Sequence, residues 1–170
     1  MDINQIYSRL EKKFTKAIIA FEEVKVDSYI EVSSDKIFEI CKFLHEDSEL
    51  LFDSLVCVSG VHYLPTHKRA TGVVVESPIF EVVYHFFSYS HKHKLTVKLV
   101  LPADLPRVQS VEKIWKGAQW LERETFDMFG IEFIGNSDLR RILCPDDWEG
   151  WPLKKDYVTQ EMYKHIRVPM

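Results

Sequence analysis

Apolar residues recur at helical spacing near the start of the chain, at Ile3, Ile6, Leu10, Phe14, Ala17, Ile18 and Phe21, which predicts an amphipathic helix over that stretch. Val24 to Val32 reads as a turn running into a strand. Ser33 and Ser34 are good N-cap residue types for a second helix, whose stripe is Ile37, Ile40, Cys41 and Leu44. That stripe puts Cys41 on the core face as a small buried hydrophobe. From Leu50 the pattern changes. Leu51 to Tyr63, Ile79 to Tyr89 and Leu95 to Leu101 are rich in Val, Phe and Tyr and read as strands. Thr96-Val97-Lys98-Leu99 alternates, so one face is expected in solvent. Ser88 to Lys94 is a polar hairpin connection, and Pro65 to Gly72 a loop. After Pro102 and Pro106, Ser110 offers a cap for a helical pattern through Val111, Ile114, Trp115, Ala118 and Leu121. It runs on to Phe129, in two pieces hinged near Gly117. Gly130 sits where a glycine ends a helix in the left-handed conformation, and Ile131 to Ile134 predicts a short strand.

These elements predict an α+β domain in which helices pack on a mostly antiparallel sheet. The character changes after Gly135. Residues 136–157 are turn-rich, with Pro145, Gly150 and Pro152, yet carry Trp148, Trp151 and Tyr157. A flexible linker does not hold two tryptophans; an ordered arm docked on something does. The expected division is a compact domain over residues 1–135 and an extended, partner-docking arm over 136–170.

Composition narrows the function. With 46% hydrophobic and 13% aromatic residues the chain can fold, and a net charge of −4 argues against nucleic acid as a partner. No apolar run approaches the roughly 18 residues of a membrane span, and the longest, Leu50 to Val61, contains Asp53. The N-terminus has neither the basic nor the apolar region of a signal peptide, so a bacterial cytoplasmic location is expected, with membrane association only through partners. Cys41, Cys57 and Cys144 lack any C-x-x-C spacing and suggest neither a disulfide framework nor a zinc or iron–sulfur ligand set.

Ionisable residues concentrate at Glu122-Arg123-Glu124 and Asp127. On a helix Arg123 and Asp127 are i, i+4 neighbours, and an ion-paired face is the simpler reading. A carboxylate set for acid–base chemistry, as in a small hydrolase or lyase using Glu122, Glu124 and Asp127, is the sharper one. Arg140-Arg141 could clamp an anion, but no phosphate-binding glycine motif accompanies them, and pairing with Asp138, Asp146, Asp147 or a partner's acids is preferred. His91 and His93 lie two apart beside lysines with no third ligand near, which reads as a solvated hairpin tip rather than a metal pair.

The stretch from Glu122 to Tyr157 resembles a family of NADH–quinone oxidoreductase (respiratory complex I) subunits, the bacterial counterparts of the mitochondrial 30 kDa subunit. The residues that carry it are Glu122-Arg123-Glu124, Asp127, Met128-Phe129 and Gly130, then Arg140-Arg141, Asp146-Asp147-Trp148, Gly150, Pro152-Leu153 and Lys154-Lys155-Asp156-Tyr157. Where that family usually reads Gly-His-Pro, this chain reads Gly135-Asn136-Ser137. The resemblance implies a non-catalytic scaffold of the hydrophilic arm, without flavin, cluster or other cofactor. Its implied partners are the large quinone-site subunit and its cluster-bearing neighbour, at the cytoplasmic face of the inner membrane. The implied interface is Glu122, Arg123, Glu124, Asp127, Phe129 and Gly130 with Arg140, Arg141, Pro145, Asp146, Asp147, Trp148, Gly150, Trp151, Pro152, Lys154, Lys155, Asp156 and Tyr157. An equivalent subunit of a membrane-bound hydrogenase or a ferredoxin-driven complex is the alternative.

Overall fold

The structure, a computed structural model, describes residues 1–24, 27–69 and 72–168. The expected turn after Val24 and the expected loop from Pro65 include residues 25, 26, 70 and 71, which lie outside the described residues.

Helix α1 spans Ile3–Phe14 and starts with a capping box: the Asp2 carboxylate accepts the Gln5 amide while the Gln5 side chain accepts the Asp2 amide. It buries Ile6 and Leu10. The helical spacing continues in sequence to Phe21, but the chain does not follow it. Residues 15–17 turn, and strand β1 (Ile18–Glu22) pairs antiparallel with β2 (Tyr29–Val32). Adjacent β-branched Ile18 and Ile19 favour that outcome, since both lose side-chain freedom in a helix and fit a pleated surface. After β2, a single 3-10 turn, η1 (Ser34–Lys36), leads into α2 (Ile37–Glu46). Ser33 precedes that turn, and its hydroxyl bonds the Asp35 side chain instead of capping a backbone amide. The stripe Ile37, Ile40, Cys41 and Leu44 is fully buried.

Strands β3 (Ser54–Tyr63), β4 (Ile79–Ser88) and β5 (His93–Pro102) form an antiparallel meander. The sheet order is β1-β2-β5-β4-β3, and β2 joins β5 in parallel. The two outer pairs thus belong to one mostly antiparallel sheet. Its core face carries Ile30, Val32, Val58, Val82, Tyr84, Phe86, Val97, Leu99 and Leu101, against α1 and α2 residues such as Leu10 and Ile40. On the opposite face Arg69 bridges two strands, with its Nη2 2.7 Å from Glu31 and its Nε bonded to Glu81. The expected solvation of alternate positions in β5 holds only in part, because Thr96 is buried. At the hairpin tip His93 is also buried and its Nε2 lies 2.7 Å from the Leu50 carbonyl, which identifies it as a structural residue.

Strand β6 (Arg107–Gln109), helix α3 (Ala118–Phe129) and strand β7 (Glu132–Ile134) make a small unit in which β6 and β7 pair in parallel. The pattern from Val111 predicts helix, yet residues 111–117 form turns and α3 starts only after Gly117. Buried Trp115 explains the difference: its indole donates to the Phe52 carbonyl at 3.1 Å and is held by the body of the protein rather than by a helix. Gly130 closes α3 in the left-handed conformation, φ 76°, and donates to Phe126 O at 2.8 Å.

Helix α3 lies directly on β3. Thr125 Oγ1 donates to the Val58 carbonyl at 3.0 Å, and the Phe129 ring covers Gly60 so closely that a Cβ there would come within 2.6 Å of it. Gly60→Val should therefore destabilise the fold by about 1–3 kcal/mol through overpacking. Urea denaturation checks this, and an unchanged midpoint would mean that α3 is not seated on β3 as described.

Candidate interaction site

Asp127, near the end of α3, is completely buried. Its Oδ2 accepts the backbone amides of Ile142 (3.0 Å), Leu143 (2.7 Å) and Cys144 (2.8 Å), and its Oδ1 accepts Arg141 Nη1 at 2.7 Å. Consecutive amides converging on one carboxylate form a nest, the backbone arrangement suited to an anion. Burial would raise the carboxyl pKa, but the Cys144 and Ile142 amides, Arg141 and the Leu143 amide outweigh it and hold the group below its ordinary value.

Arg141 completes the junction. Its Nη2 donates to Trp148 O (2.9 Å) and Gly150 O (2.8 Å), and its guanidinium lies 4.5 Å from the Trp151 ring centre. One side chain thus closes the loop from Arg141 to Trp151. Arg123 is equally committed to the arm. It donates to the carbonyls of Arg140 (3.2 Å) and Arg141 (3.0 Å) and lies 3.4 Å from the Asp138 carboxylate. The expected Arg123–Asp127 pair is therefore absent: each residue instead satisfies backbone groups of the arm that have no secondary structure to serve them.

Glu122 is also fully buried, and among the described residues no arginine pairs with it. It accepts Ser110 Oγ (2.6 Å), the Val111 amide (2.8 Å) and Asn136 Nδ2 (2.8 Å). Burial raises its pKa despite those bonds. Asn136 and Ser137, at the Gly-His-Pro departure, both engage acids, since the Ser137 amide and hydroxyl each lie 2.7 Å from the Glu112 carboxylate. Glu124 is exposed, and its side chain makes no hydrogen bond or ion pair with the described residues. The three carboxylates thus have separate surroundings among the described residues: Glu122 faces Ser110, Val111 and Asn136, Asp127 faces the arm, and Glu124 faces outward. The hydrolase or lyase reading thereby loses its geometric basis.

The arm folds back along this end of the molecule. Trp151 packs edge-on against Phe126, at 5.1 Å, and sits over Gly130, where a Cβ would lie 2.8 Å from the indole. Leu153 N donates to Met128 O at 3.0 Å, and Lys155 N to His62 Nδ1 at 3.0 Å. Beyond the turn at Pro145, the Trp148 indole donates to the Tyr157 hydroxyl at 3.1 Å and packs on Tyr163. Asp147 accepts the Tyr163 hydroxyl at 2.7 Å, next to a two-stranded hairpin of β8 (Met162–Tyr163) and β9 (Ile166–Arg167). Gly150 has φ 78° and lies under the Tyr157 ring, so both its conformation and its clearance require glycine.

Of the residues expected at an interface, Glu122, Arg123 and Asp127 are buried, and their side chains bond groups of the arm. Phe129 packs on Gly60. Pro145, Asp146, Asp147, Lys155 and Asp156 are exposed, Pro152 and Lys154 partly so. The adjacent arginines split: the Arg140 side chain is 66% exposed and pairs with Asp138 while the Arg140 backbone carbonyl accepts from Arg123, whereas the side chain of Arg141 is 12% exposed. His62, Ser110, Glu112, Phe126 and Asp138 belong to the same junction; among them Asp138 had a sequence signal as an acid near the arginine pair, and Ser110 as a candidate helix cap.

The profile of the family "Respiratory-chain NADH dehydrogenase, 30 Kd subunit" matches residues 30–163, which takes in the chain from β2 through the β3–β5 meander, α3 and the arm as far as Tyr163. The chain belongs to that family. An NADH-quinone oxidoreductase subunit of Chloroherpeton thalassium is 41% identical over 165 residues, 96% of this chain and 64% of that protein. The chain thus spans less than two thirds of that relative. The equivalent NADH-quinone oxidoreductase subunit of Chlorobium phaeobacteroides is 38% identical over 164 residues, covering 96% of this chain and 93% of the relative. Two solved structures share the fold. A trypsin-resistant fragment (1-134) of Nqo5 superposes with a TM-score of 0.63 at 24% identity, over 82% of this chain and all of the fragment. A chain of the membrane-bound sulfane sulfur reductase, an archaeal respiratory membrane complex, superposes with a TM-score of 0.69 at 22% identity, over 91% of this chain and 85% of its own length. Among the described residues of this member of the 30 Kd family, no helix is long and apolar enough to cross a membrane.

Asp127→Ala should strip one acceptor from three amides and an arginine at once, costing about 3–5 kcal/mol at the junction. Hydrogen exchange of the amides of residues 142–144 is the measurement, and retained protection would refute the nest. The depressed pKa fixes the sign of the acid response. The native form binds its proton less tightly than the unfolded chain, so the contribution is complete above the ordinary aspartate value of about 3.9 and lost as pH falls below it. Acid unfolding of Asp127→Asn should consequently be shallower than that of the wild type, and parallel curves would contradict this.

Proposed function

We propose that the chain is a non-catalytic scaffold subunit of the hydrophilic arm of NADH–quinone oxidoreductase. In this reading it supports electron transfer from NADH to quinone by bracing the large quinone-site subunit and a cluster-bearing neighbour. Residues 1–135 act as the body, and residues 136–170 as the arm that meets the partners at the cytoplasmic face of the membrane, to which the chain is attached through them alone. The family membership and the relatives in NADH-quinone oxidoreductase support the assembly.

One structural observation carries the scaffold role. Buried side chains of α3 are spent on the arm's backbone, which leaves the arm's own side chains free to face outward: Arg140 is 66% exposed, Leu143 63%, Leu153 52% and Val158 85%. Apolar and arginine side chains offered on a preorganised backbone suit protein recognition, because little ordering entropy is left to lose on binding. The relatives of 35–41% identity are subunits of NADH-quinone oxidoreductase, which favours that machine over other membrane complexes.

The test is affinity capture of the parent complex by the full chain and by its full-length variant Arg140→Ala/Leu143→Asp. Both positions lie outside the core, so the melting temperature should stay unchanged. Loss of two hot-spot side chains costs about 2 kcal/mol or more, about thirtyfold in affinity. Recovery of the other subunits by the wild type alone is expected. Equal recovery by both would remove the arm from the interface.

A further inference from the structure

His62 occupies a place that the scaffold reading does not use. It lies in β3 on the core side of the sheet, its side chain only 2% exposed, with its ring stacked on Phe80 at 4.4 Å and 14°. Its Nδ1 accepts the backbone amide of Lys155 at 3.0 Å, a bond between residues 93 positions apart. The donor is an amide N–H and cannot reverse its role. Nδ1 must therefore carry a lone pair, which places the proton of the neutral ring on Nε2. A protonated ring presents N–H at both nitrogens and meets the Lys155 amide donor to donor.

We propose that His62 is a proton-operated catch for the arm: the neutral imidazole holds the Lys155 amide on the body, and protonation of the ring frees the segment around Lys155 from the sheet. The catch acts within one chain and stands whether or not the arm meets a partner.

The charged groups around the ring set the balance. Asp156 Oδ1 lies 3.7 Å from Nδ1 and favours the protonated form. Lys154, whose ammonium lies 5.9 Å from the centre of the Phe80 ring, His67 and Lys155 all oppose it. Burial between Phe80 and the arm is the largest effect, and it too disfavours the charge, so the docked ring titrates below an ordinary histidine. The sign follows. The docked form binds a proton less readily than the released form, so docking is complete above the free histidine value of about 6.5 and weakens as pH falls through it. Each unit by which docking lowers the pKa changes the docked-to-released ratio up to about tenfold.

Hydrogen exchange of the Lys155 amide in the full chain, corrected for the intrinsic pH dependence of exchange, reads the catch directly. In the wild type its protection should fall several-fold between pH 7.5 and 5.5. In His62→Asn, whose amide oxygen can take the place of Nδ1 and does not titrate, protection should stay level over the same range. Level protection in the wild type, or a parallel fall in the variant, overturns the proposal. A second measurement needs no variant. The His62 ring followed by NMR in the same wild-type chain should titrate below about 6.5, and a value at or above that overturns the proposal as well. Capture of partner subunits enters neither result, so the catch and the scaffold role fail separately.

Discussion

The junction between α3 and the arm rests on one buried carboxylate. An isolated ionised carboxylate in the interior is prohibitively costly, and Asp127 is tolerable there only because the amides of residues 142–144 and the Arg141 guanidinium converge on it. The dependence is mutual. Those amides belong to a segment without helix or sheet partners, and the carboxylate is what satisfies them. The α3 helix carrying Asp127 is in turn held on β3 by Thr125 at the Val58 carbonyl and by Phe129 over Gly60. An unbroken sequence of contacts therefore leads from the sheet through α3 into the arm.

The consecutive arginines show how such a junction divides labour. Arg141 turns inward, bonding Asp127 and the carbonyls of Trp148 and Gly150, whereas Arg140 points out and contributes its carbonyl to Arg123. Two identical residues in succession thus serve architecture and surface. Burial decides which is which. Asn136 and Ser137, at the departure from the family's usual His-Pro, are not idle either: they bond Glu122 and Glu112, so the turn leaving β7 is fastened by side chains where a proline would fasten it by its ring.

Much of the body was legible in the sequence because its pattern is local. The α2 stripe and the three long strands of the meander each announce themselves over about ten residues. Residues 15–21 misled because helical spacing and strand pairing both accommodate Ile18 and Phe21, and the choice is made by Val32 and Ile30 on a neighbouring strand. Residues 111–117 misled because Trp115 answers to Phe52, 63 positions away. At the junction Arg140 does pair with Asp138, an acid close to it in sequence, but the partners of the α3 acids could not be read that way. Proximity in sequence suggested Arg123 for Asp127, while the actual partners come from the arm, and Glu122 is served by Ser110, Val111 and Asn136. Hydrogen bonds that close a loop carry no periodic signature.

The parallel union of β2 with β5 has a consequence for how the chain assembles. Tyr29 aligns with Thr96 and Glu31 with Lys98, so the hairpin of β1 and β2 reaches the sheet only through a strand made much later in synthesis. The meander of β3, β4 and β5 can zip from neighbouring turns, whereas the N-terminal hairpin must wait, with Ile30 and Val32 unburied, until β5 offers its free edge. A hairpin that precedes the meander in the chain thus joins the sheet after it.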